Sequence, residues 1–419
     1  MHHHPQTMKC VGSFALLTLL SGLSSAGNQD AAVNVNSRYT IESVELVPDR
    51  KSLSASLREA MQNLVGEKLD QQILNDLARK LRKELRVDFL MQKVVKGSKP
   101  EHVRVMFETR GPRGGFDVNL PKLAYHSKHG YSAAVEATQT IYDNRFSFGV
   151  RSDGDEKIER FAGINFGYEN RHVFTDRVRL RFDFQSFHNE WNGASLAALE
   201  QQADVPGIYR TRQNFQPTVS VALAEPLSFS AGVSFQNFET QFPVSRTEAS
   251  NAVVNTLRYR RRWEPWGATH DLNASYNLRA ATRALDSDFV YARHETDVRY
   301  LYDAGSQEVV LRFQAGTLNG RAPIFDRFVL GTTRTLRGWN KFDLAPLGAE
   351  RMVHGTVEYH WNDILVFYDT GSAWDRGQPA KAKHSAGIGV SNEGGFFLAL
   401  AFPIRQGMAA PLFMIGFNY

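Results

Sequence analysis

Few residues of this 419-residue chain have the types and spacing that covalent catalysis or metal binding requires. The sequence contains no Gly-x-Ser-x-Gly nucleophile motif, no His-Glu-x-x-His zinc motif and no P-loop. His294 and Glu295 are adjacent but lack the second histidine of a zinc site, and Asp143, Asp153 and Asp155 are typical of turn residues. We therefore expect no enzymatic activity, no metal and no cofactor.

A run of cations, Arg258-Tyr259-Arg260-Arg261-Arg262-Trp263, has the composition of a phosphate-binding segment. The whole chain, however, carries 49 Lys and Arg against 44 Asp and Glu, and a net charge of +5 is too small to favour nucleic acid. On a strand, Arg258, Arg260 and Arg262 would share one face. A barrel strand with these arginines in a water-filled interior and Trp263 at the membrane interface is the simpler interpretation, so no nucleic-acid partner is predicted.

The longest break in the regular sequence pattern, residues 317–351, contains a cation between a leucine and a glycine. Its sequence includes Leu336-Arg337-Gly338-Trp339, and loops of this length are uncommon unless they have a structural or functional role. A glycine beside an arginine and an aromatic residue is typical of a tight tip that places a charge where two backbones approach closely. These four residues are therefore candidate functional residues.

The elements that must position these residues are β-strands. From residue 116 to residue 419, apolar and polar residues alternate with a period of two in segments of roughly ten residues. In Asp176–Phe187, for example, Val178 and the next three even positions are apolar, whereas the odd positions from Arg177 to Gln185 are polar. About sixteen such segments lie near residues 119–126, 130–139, 143–151, 159–169, 176–187, 214–224, 227–237, 253–263, 269–279, 290–301, 308–316, 352–361, 363–370, 384–391, 395–402 and 411–419.

Three features indicate that the apolar face of these strands meets lipid rather than a second sheet. The opposite face is densely charged, the predicted export makes a membrane accessible, and aromatic residues lie near the segment ends: Phe187, Trp191, Tyr259, Trp263 and Trp361. Open sheet edges are not tolerated in lipid, so the sheet must close. We predict an all-β transmembrane antiparallel barrel of about sixteen strands. A soluble all-β domain is the alternative.

The first 26 residues have the features of a secretory signal peptide. Lys9 precedes the apolar run Val11–Leu23, and Ser24-Ser25-Ala26 supplies small residues for cleavage. Cys10 is the only cysteine, so the mature chain would contain no cysteine and could form neither a disulfide nor a cysteine-based metal site. We predict an exported protein.

Residues 37–110 predict a small α+β domain with the element order β-α-α-β-β. A strand-like run at Tyr39–Leu46 precedes two segments in which apolar residues recur at helical spacing. Two further strand-like runs follow at Val87–Val95 and His102–Thr109. The sequence Gly111-Pro112-Arg113-Gly114-Gly115 then predicts a linker to the barrel.

The last predicted strand places Phe413, Ile415, Phe417 and Tyr419 on one face. This pattern, which ends in an aromatic residue, resembles the C-terminal signal by which outer-membrane barrels are recognised for insertion. An ordinary final strand would show the same alternation.

Several motifs occur in an order that resembles the bacterial surface antigen family, the barrels of outer-membrane protein assembly, translocation-and-assembly and two-partner secretion. The family loop has a Val/Leu-Arg-Gly-aromatic tip, here Leu336–Trp339, after a Phe-x-Leu-Gly-Gly-like stretch, here Phe328–Gly331 with Thr332 in place of the second glycine. The family's Phe-x-Asp-x-Gly motif matches Phe367-Tyr368-Asp369-Thr370-Gly371, and its Gly-x-Gly strand matches Gly387-Ile388-Gly389. Upstream, residues 37–110 are similar to one polypeptide-transport-associated (POTRA) domain.

The resemblance implies that residues 317–351 form a loop that folds back into the barrel and docks Arg337 on the inner wall. Phe367, Asp369 and Gly371 are the corresponding wall residues. A guanidinium and a carboxylate at that place would form a charge-assisted, partly desolvated pair. Gly338 would let the backbone approach the wall, and Trp339 would pack beside the cation.

The resemblance further implies that the protein inserts polypeptides into the outer membrane or translocates them across it, with residues 37–110 in the periplasm. The expected partners are outer-membrane lipids, unfolded outer-membrane or secreted polypeptide clients, and accessory periplasmic proteins. A passive outer-membrane pore or a surface structural protein on the same scaffold is the alternative. A barrel enzyme with a serine-histidine pair is a third and more distant one.

Overall fold

The computed structural model describes residues 38–47, 53–85, 90–109, 115–175, 177–202, 207–392, 395–405 and 410–417. The predicted signal peptide, residues 111–114 of the predicted linker and Tyr419 lie outside these residues. The described strands form two sheets, one of three strands and one closed barrel.

The three-stranded sheet and two helices make up a small α+β unit, which confirms the predicted element order. Its elements are β1 (Thr40–Val47), α1 (Ala55–Asn63), α2 (Gln71–Leu85), β2 (Leu90–Lys96) and β3 (His102–Thr109). β3 is the central strand, parallel to β1 and antiparallel to β2, so β1 and β2 form the two edges of the sheet.

The core of this unit lies between helix α2 and the sheet. Leu74, Leu77 and Leu81 of α2 are buried together with Val105 and Phe107 of β3. Ile73, the apolar residue next to Leu74, is half exposed. It lies about 100° around the helix from Leu74, at the margin of the apolar stripe.

The barrel runs as an antiparallel meander in which successive strands pair, except that β10 pairs with both β11 and β12. The strands are β4 (Gly115–His126), β5 (Gly130–Ile141), β6 (Asn144–Asp153), β7 (Arg160–Asn170), β8 (Val178–Glu190), β9 (Ile208–Ala224), β10 (Leu227–Phe242), β11 (Arg246–Ala249), β12 (Ala252–Trp263), β13 (Thr269–Ala281), β14 (Val290–Asp303), β15 (Gln307–Arg321), β16 (Arg351–Trp361), β17 (Ile364–Trp374), β18 (Lys383–Ser391), β19 (Phe396–Ile404) and β20 (Leu412–Phe417).

β11 and β12 pair with successive parts of β10 and together make one barrel strand, so the barrel has sixteen strands as predicted. Its connections include helix α3 (Gly193–Gln201), helix α4 (Lys341–Leu344) and the 3₁₀ turns Pro265–Gly267, Arg283–Leu285 and Ile324–Asp326. In a meander, alternate connections lie at the same end. The connections after β4, β6, β15 and β19 therefore share one end of the barrel.

The alternation of side chains separates the two faces of the barrel wall. On β17, Val366 is 48% exposed on the outside, whereas its neighbour Phe367 is 2% exposed on the inside. Val357 on the adjacent strand β16 is likewise exposed on the apolar outer face. The helices among the described residues are all too short or too polar to span a bilayer.

The barrel closes where β20 pairs with β4, and we call this pairing the seam. Four residue pairs form it, from Met414 opposite His126 to Phe417 opposite Leu123. By comparison, β4 pairs with β5 along most of its length, from Gly115 to His126. Among the described residues, the seam is therefore a short strand contact.

The break between β15 and β16 spans residues 322–350, which we call the docking loop. It begins later than the predicted residue 317 because β15 stays paired with β14 as far as Arg321. The loop is folded into the barrel, and its buried apolar residues belong to a core cluster with the surrounding wall: Phe325, Phe328, Leu330, Leu336 and Trp339.

Candidate functional site: an arginine docked on the inner barrel wall

The tip of the docking loop contacts the wall through a bidentate ion pair. Arg337 Nε donates to Asp369 Oδ2 at 2.9 Å, and Arg337 Nη2 donates to Asp369 Oδ1 at 2.8 Å. The backbone N–H of Arg337 adds a bond of 3.0 Å to Asp369 Oδ2. The side chains are 2% and 0% exposed, so the pair lies out of reach of bulk water. Parallel N–H bonds to one carboxylate are among the strongest hydrogen bonds in proteins.

Two neighbouring strands complete the surroundings of this pair. Glu358 of β16 accepts from Arg337 Nη1 at 2.6 Å, and the Thr356 hydroxyl donates to Asp369 Oδ1 at 2.9 Å. Thr356 lies directly opposite Asp369 across the β16–β17 pairing. Arg337 thus meets two carboxylates. Asp369 and Glu358 each accept hydrogen bonds, which offsets the desolvation of the three charges.

The aromatic partner of the cation differs from the prediction. The guanidinium carbon of Arg337 lies 3.5 Å from the centre of the Phe367 ring. The loop residue Trp339 instead packs against another part of the wall. The Trp339 indole donates to the His384 carbonyl at 2.8 Å, and the Lys383 ammonium lies 4.6 Å from its ring centre. Phe367 therefore supplies the cation–π contact because it projects from the same face of β17 as Asp369, two residues away.

Close backbone approach explains the two glycines beside the tip and on the wall. A Cβ on Gly338 would lie 2.6 Å from Ser385 Cβ and 2.8 Å from backbone atoms of Phe402 and Pro403. A Cβ on Gly371 would lie 3.0 Å from the Val353 carbonyl oxygen. The predicted role of Gly338 in letting the loop approach the wall agrees with this geometry.

Leu336 occupies the turn before the arginine. Its φ is +49°, in the left-handed region, and its side chain is buried in the core cluster of the loop. Its N–H donates to His354 Nε2 at 3.1 Å, and its carbonyl accepts from Trp339 N at 3.0 Å. These bonds orient the tip so that the next side chain points at Asp369.

A second contact between the loop and the wall was not predicted. Asp153 and Asp155 do lie at the end of β6 and in the connection that follows, but they are buried rather than exposed turn residues. Asp155 accepts hydrogen bonds from the backbone N–H and the hydroxyl of Thr333 in the docking loop. Asp153 forms an ion pair of 2.7 Å with Lys122 of β4. Asp153 also accepts from the N–H groups of Asp155 and Glu156, as expected of a turn residue. Lys122 and Thr333 are remote in sequence, so local spacing gave no signal for their contacts.

Lys341 reinforces this second contact. Its ammonium group donates to the carbonyl oxygens of Gly154, Asp155 and Lys157, the first at 2.6 Å. Burial lowers the pKa of Lys341 to about 8, against an ordinary value of 10.5, although nearby carboxylates oppose the shift. For Asp155, burial alone would raise the pKa, but the hydrogen bond from His129 and the charge of Lys122 outweigh it and hold the pKa well below 3.8.

The predicted C-terminal signal residues lie on the seam strand β20. Phe413 and Ile415 are partly exposed and Phe417 is exposed on the outer face, whereas Leu412 and Met414 are buried inside. The alternation predicted for this strand is therefore present over its described residues. Tyr419 lies outside them.

One group of side chains has the composition of a metal site. Donor atoms of His126, His129 and Asp155 lie within 4.8 Å of one another. His126 Nδ1, however, accepts a hydrogen bond from Lys128 N, which assigns the ring proton to Nε2 and leaves no lone pair there for a metal. The Lys122 ammonium, 3.9 Å from Asp155, already balances that carboxylate. His129, Asp155 and Lys122 therefore form a hydrogen-bonded ion network, whereas the His126 ring stacks on His129 and its Nε2 is buried without a hydrogen-bond partner. A metal centre would require the opposite tautomer of His126.

A closed sixteen-stranded antiparallel barrel with an apolar outer face, a loop docked inside it and a small preceding α+β unit defines an outer-membrane β-barrel protein. The Omp85 superfamily domain matches residues 128–406, more than half of the chain. The chain belongs to the Omp85 superfamily, which confirms the predicted family and the outer-membrane barrel. Comparison with curated proteins gave no match.

Solved structures show the same fold. BamA from Haemophilus ducreyi lacking POTRA domains 1–3 has a TM-score of 0.57 at 14% identity, with 91% of this chain and 84% of that chain covered. CdiB from Acinetobacter baumannii has a TM-score of 0.56 at 12% identity and coverages of 91% and 74%. CdiB from Escherichia coli has a TM-score of 0.53 at 10% identity and coverages of 91% and 76%. At these identities the similarity concerns the fold alone.

Proposed function

We propose that this protein inserts polypeptides into the outer membrane or translocates them across it, without covalent chemistry. The observation that carries the proposal is the docking of Arg337 on Asp369 inside the barrel. A loop that is held in the interior by specific polar contacts and a buried apolar cluster, rather than by the barrel's strand pairing, can be docked or withdrawn, and such two-state elements are the basis of gated passage. Membership of the Omp85 superfamily supports the same function.

The docked loop argues against a permanently open pore. Beside the loop lies a cavity of about 390 Å³, the size of a small-molecule pocket rather than of a polypeptide channel. Arg293 and Glu295 of the wall and Arg334 of the loop contribute to its charged lining. A polypeptide would pass through the interior only after the loop had moved, so transport requires a change of state that a passive pore does not.

The seam offers a second route for a client. Among the described residues four pairs join β20 to β4, so parting them breaks fewer hydrogen bonds than parting a longer pairing such as that of β4 with β5. A client hairpin could then pair with the freed edges of both strands. Insertion of outer-membrane proteins would use this lateral route, and translocation would use the interior.

The small α+β unit would receive the client on the periplasmic side. β1 and β2 are edge strands of its sheet and can accept an extended segment by strand addition. The same surface would serve accessory periplasmic proteins. The exposed apolar residues of the barrel wall, such as Val357 and Val366, would contact outer-membrane lipids.

Depletion of the protein followed by quantitative proteomics of the outer membrane tests the proposal. We expect the levels of other outer-membrane or secreted proteins to fall, and Arg337→Ala to restore them less well than the parent protein. Arg258→Ala is the matched control, because Arg258 is an exposed barrel arginine without a role in docking. Unchanged protein levels with altered permeability would favour the passive pore.

A further inference from the structure

We propose that Asp155 is a positioning residue that couples docking of the loop to closure of the seam. The inference rests on the proposed function, in which both the loop and the seam move. Asp155 lies in the connection after β6 and belongs to neither the docking loop nor the seam strands. It contacts one residue of the docking loop and one residue of the turn next to the seam. It belongs to neither the arginine tip nor the wall that receives it.

On the loop side, Asp155 is the acceptor for Thr333. The Thr333 hydroxyl donates to Asp155 Oδ2 at 2.6 Å, and the Thr333 N–H lies 3.1 Å from Oδ1 and 3.2 Å from Oδ2. Both residues are buried. Thr333 precedes Arg337 by four residues, so withdrawal of the arginine tip would also pull at this contact.

On the seam side, Asp155 holds the turn that joins β4 to β5. His129 Nδ1 donates to Asp155 Oδ1 at 2.8 Å, and His129 Nε2 lies 3.2 Å from Asn340 Oδ1 in the docking loop. Within the same turn, Ser127 N donates to the Phe413 carbonyl at 2.9 Å, and Phe413 N donates to the Ser127 hydroxyl at 3.1 Å. These two bonds prolong the seam beyond its four strand pairs.

Hydrogen bonds and one short stretch of chain therefore join the docking loop to the seam. Hydrogen bonds link Thr333 to Asp155 and Asp155 to His129. The chain of the turn links His129 to Ser127, which is hydrogen-bonded to Phe413 of the barrel's last strand. All of these residues lie at one end of the barrel, where the connections after β4, β6, β15 and β19 meet. A short pairing such as the seam is sensitive to the loss of even two terminal bonds.

The buried carboxylate makes the two contacts interdependent. Asp155 is held by hydrogen bonds from both sides, with Lys122 balancing its charge at 3.9 Å. If the loop withdraws, the carboxylate loses its Thr333 donors, and it must turn or rehydrate to replace them. Either response disturbs the bond to His129, and so the turn that supports the seam. Couplings of this kind typically change an equilibrium by about 5- to 150-fold.

A seam disulfide provides the test, because the predicted mature chain has no other cysteine. Leu123 and Phe417 lie directly opposite each other across the seam and both face outwards, so Leu123→Cys with Phe417→Cys places two thiols at disulfide distance. The rate of disulfide formation with copper phenanthroline, measured on outer membranes without added client, reports the closed fraction of the seam. Client assembly is assayed separately, so failure of the proposed function does not affect this reading.

We expect Asp155→Ala to slow seam disulfide formation at least about fivefold. Thr333→Val removes only the hydroxyl that donates to Asp155 from the loop, and it should also slow seam disulfide formation although Thr333 is not on the seam. If Asp155→Ala fails to assemble, Thr333→Val still tests the proposal. Arg337→Ala should also slow the reaction, and combining it with Asp155→Ala should add little. Asp143→Ala is the matched control, since Asp143 is an exposed aspartate at the opposite end of β6.

Three results would overturn the proposal. The first is a rate unchanged by both Asp155→Ala and Thr333→Val. The second is a double variant with Arg337→Ala whose effect is the product of the two single effects, because independent sites behave in that way. The third is a parent rate that falls when the purified protein is first treated with EDTA, freed of the chelator and then oxidised with diamide instead of the copper reagent, which would assign His126, His129 and Asp155 to a metal.

Discussion

Arg337 and Asp369 are 32 positions apart in the sequence, yet two parallel hydrogen bonds of 2.9 and 2.8 Å join their side chains inside the barrel. Each charge is buried and has the other as its main counter-charge. Whatever moves the docking loop must therefore break a desolvated ion pair.

Arg337→Ala and Asp369→Ala should each weaken docking of the loop by about 1–3 kcal/mol, because each leaves the other charge buried without its partner. The double variant should be little worse than either single one, since the pair acts as a unit. The free energy is measured from protease cleavage within residues 322–350 under conditions where the loop opens and closes faster than it is cut. Arg258→Ala should have no effect, and strictly additive losses would contradict the pairing.

Phe367→Leu should weaken docking by about 0.5–2 kcal/mol, because it removes the ring face beneath the guanidinium but keeps an apolar side chain. In an Arg337→Ala background, the same substitution should have much less effect. Trp339→Phe loses the indole hydrogen bond to the His384 carbonyl, and its effect should persist fully in that background. The same cleavage assay distinguishes the two aromatics. Coupling of Trp339 rather than Phe367 to Arg337 would refute the arrangement.

Gly338→Ala should prevent the loop tip from seating, at a cost of about 1–3 kcal/mol, because the added methyl meets wall atoms at 2.6 to 2.8 Å. Gly193→Ala is the control, since a Cβ at the start of helix α3 would meet no atom within 4 Å. Both variants should still assemble as heat-modifiable barrels in the outer membrane. Normal docking of Gly338→Ala in the cleavage assay would show that the wall residues shift to make room for the added methyl group.

Docking should weaken at low pH through Asp155. The folded pKa of this carboxyl lies below its ordinary value of 3.8, so its stabilising contribution is fully present above about pH 4 and is lost as the pH falls through the folded pKa. The cleavage assay between pH 5 and about pH 2, with an acid-active protease, should show a steeper loss for the parent than for Asp155→Asn. Parallel pH profiles for the two proteins would exclude Asp155 as the titrating group.

The sequence predicted the barrel well because its signal is repeated in every strand. Each two-residue alternation fixes which side chains face lipid, as at Val366 and Phe367, and sixteen such segments leave little choice of fold. The limits of individual strands were less well predicted. β15, for instance, continues past residue 317 to Arg321 because the long partner strand β14 still offers hydrogen-bonding groups there.

The site was predicted where a motif carried it and was missed where only the fold brings residues together. The tip at Arg337 and the wall at Asp369 were both recognised from short motifs. Asp155 and Thr333 are 178 positions apart and have no motif, so their contact depends on how deeply the loop enters the barrel. The aromatic partner of Arg337 was predicted to be Trp339 but is Phe367. This error was avoidable, because Phe367 shares a face of its strand with Asp369, and the two-residue period of a strand indicates it as the neighbour of the cation.

The left-handed backbone of Leu336 has a consequence for reversibility. A leucine at a φ of +49° carries a conformational penalty of roughly 1–2 kcal/mol, which an undocked loop can relieve. Part of the attraction between Arg337 and Asp369 is therefore offset within the loop itself. Withdrawal recovers that penalty, so the free-energy difference between the docked and withdrawn states is smaller than the ion pair alone would give.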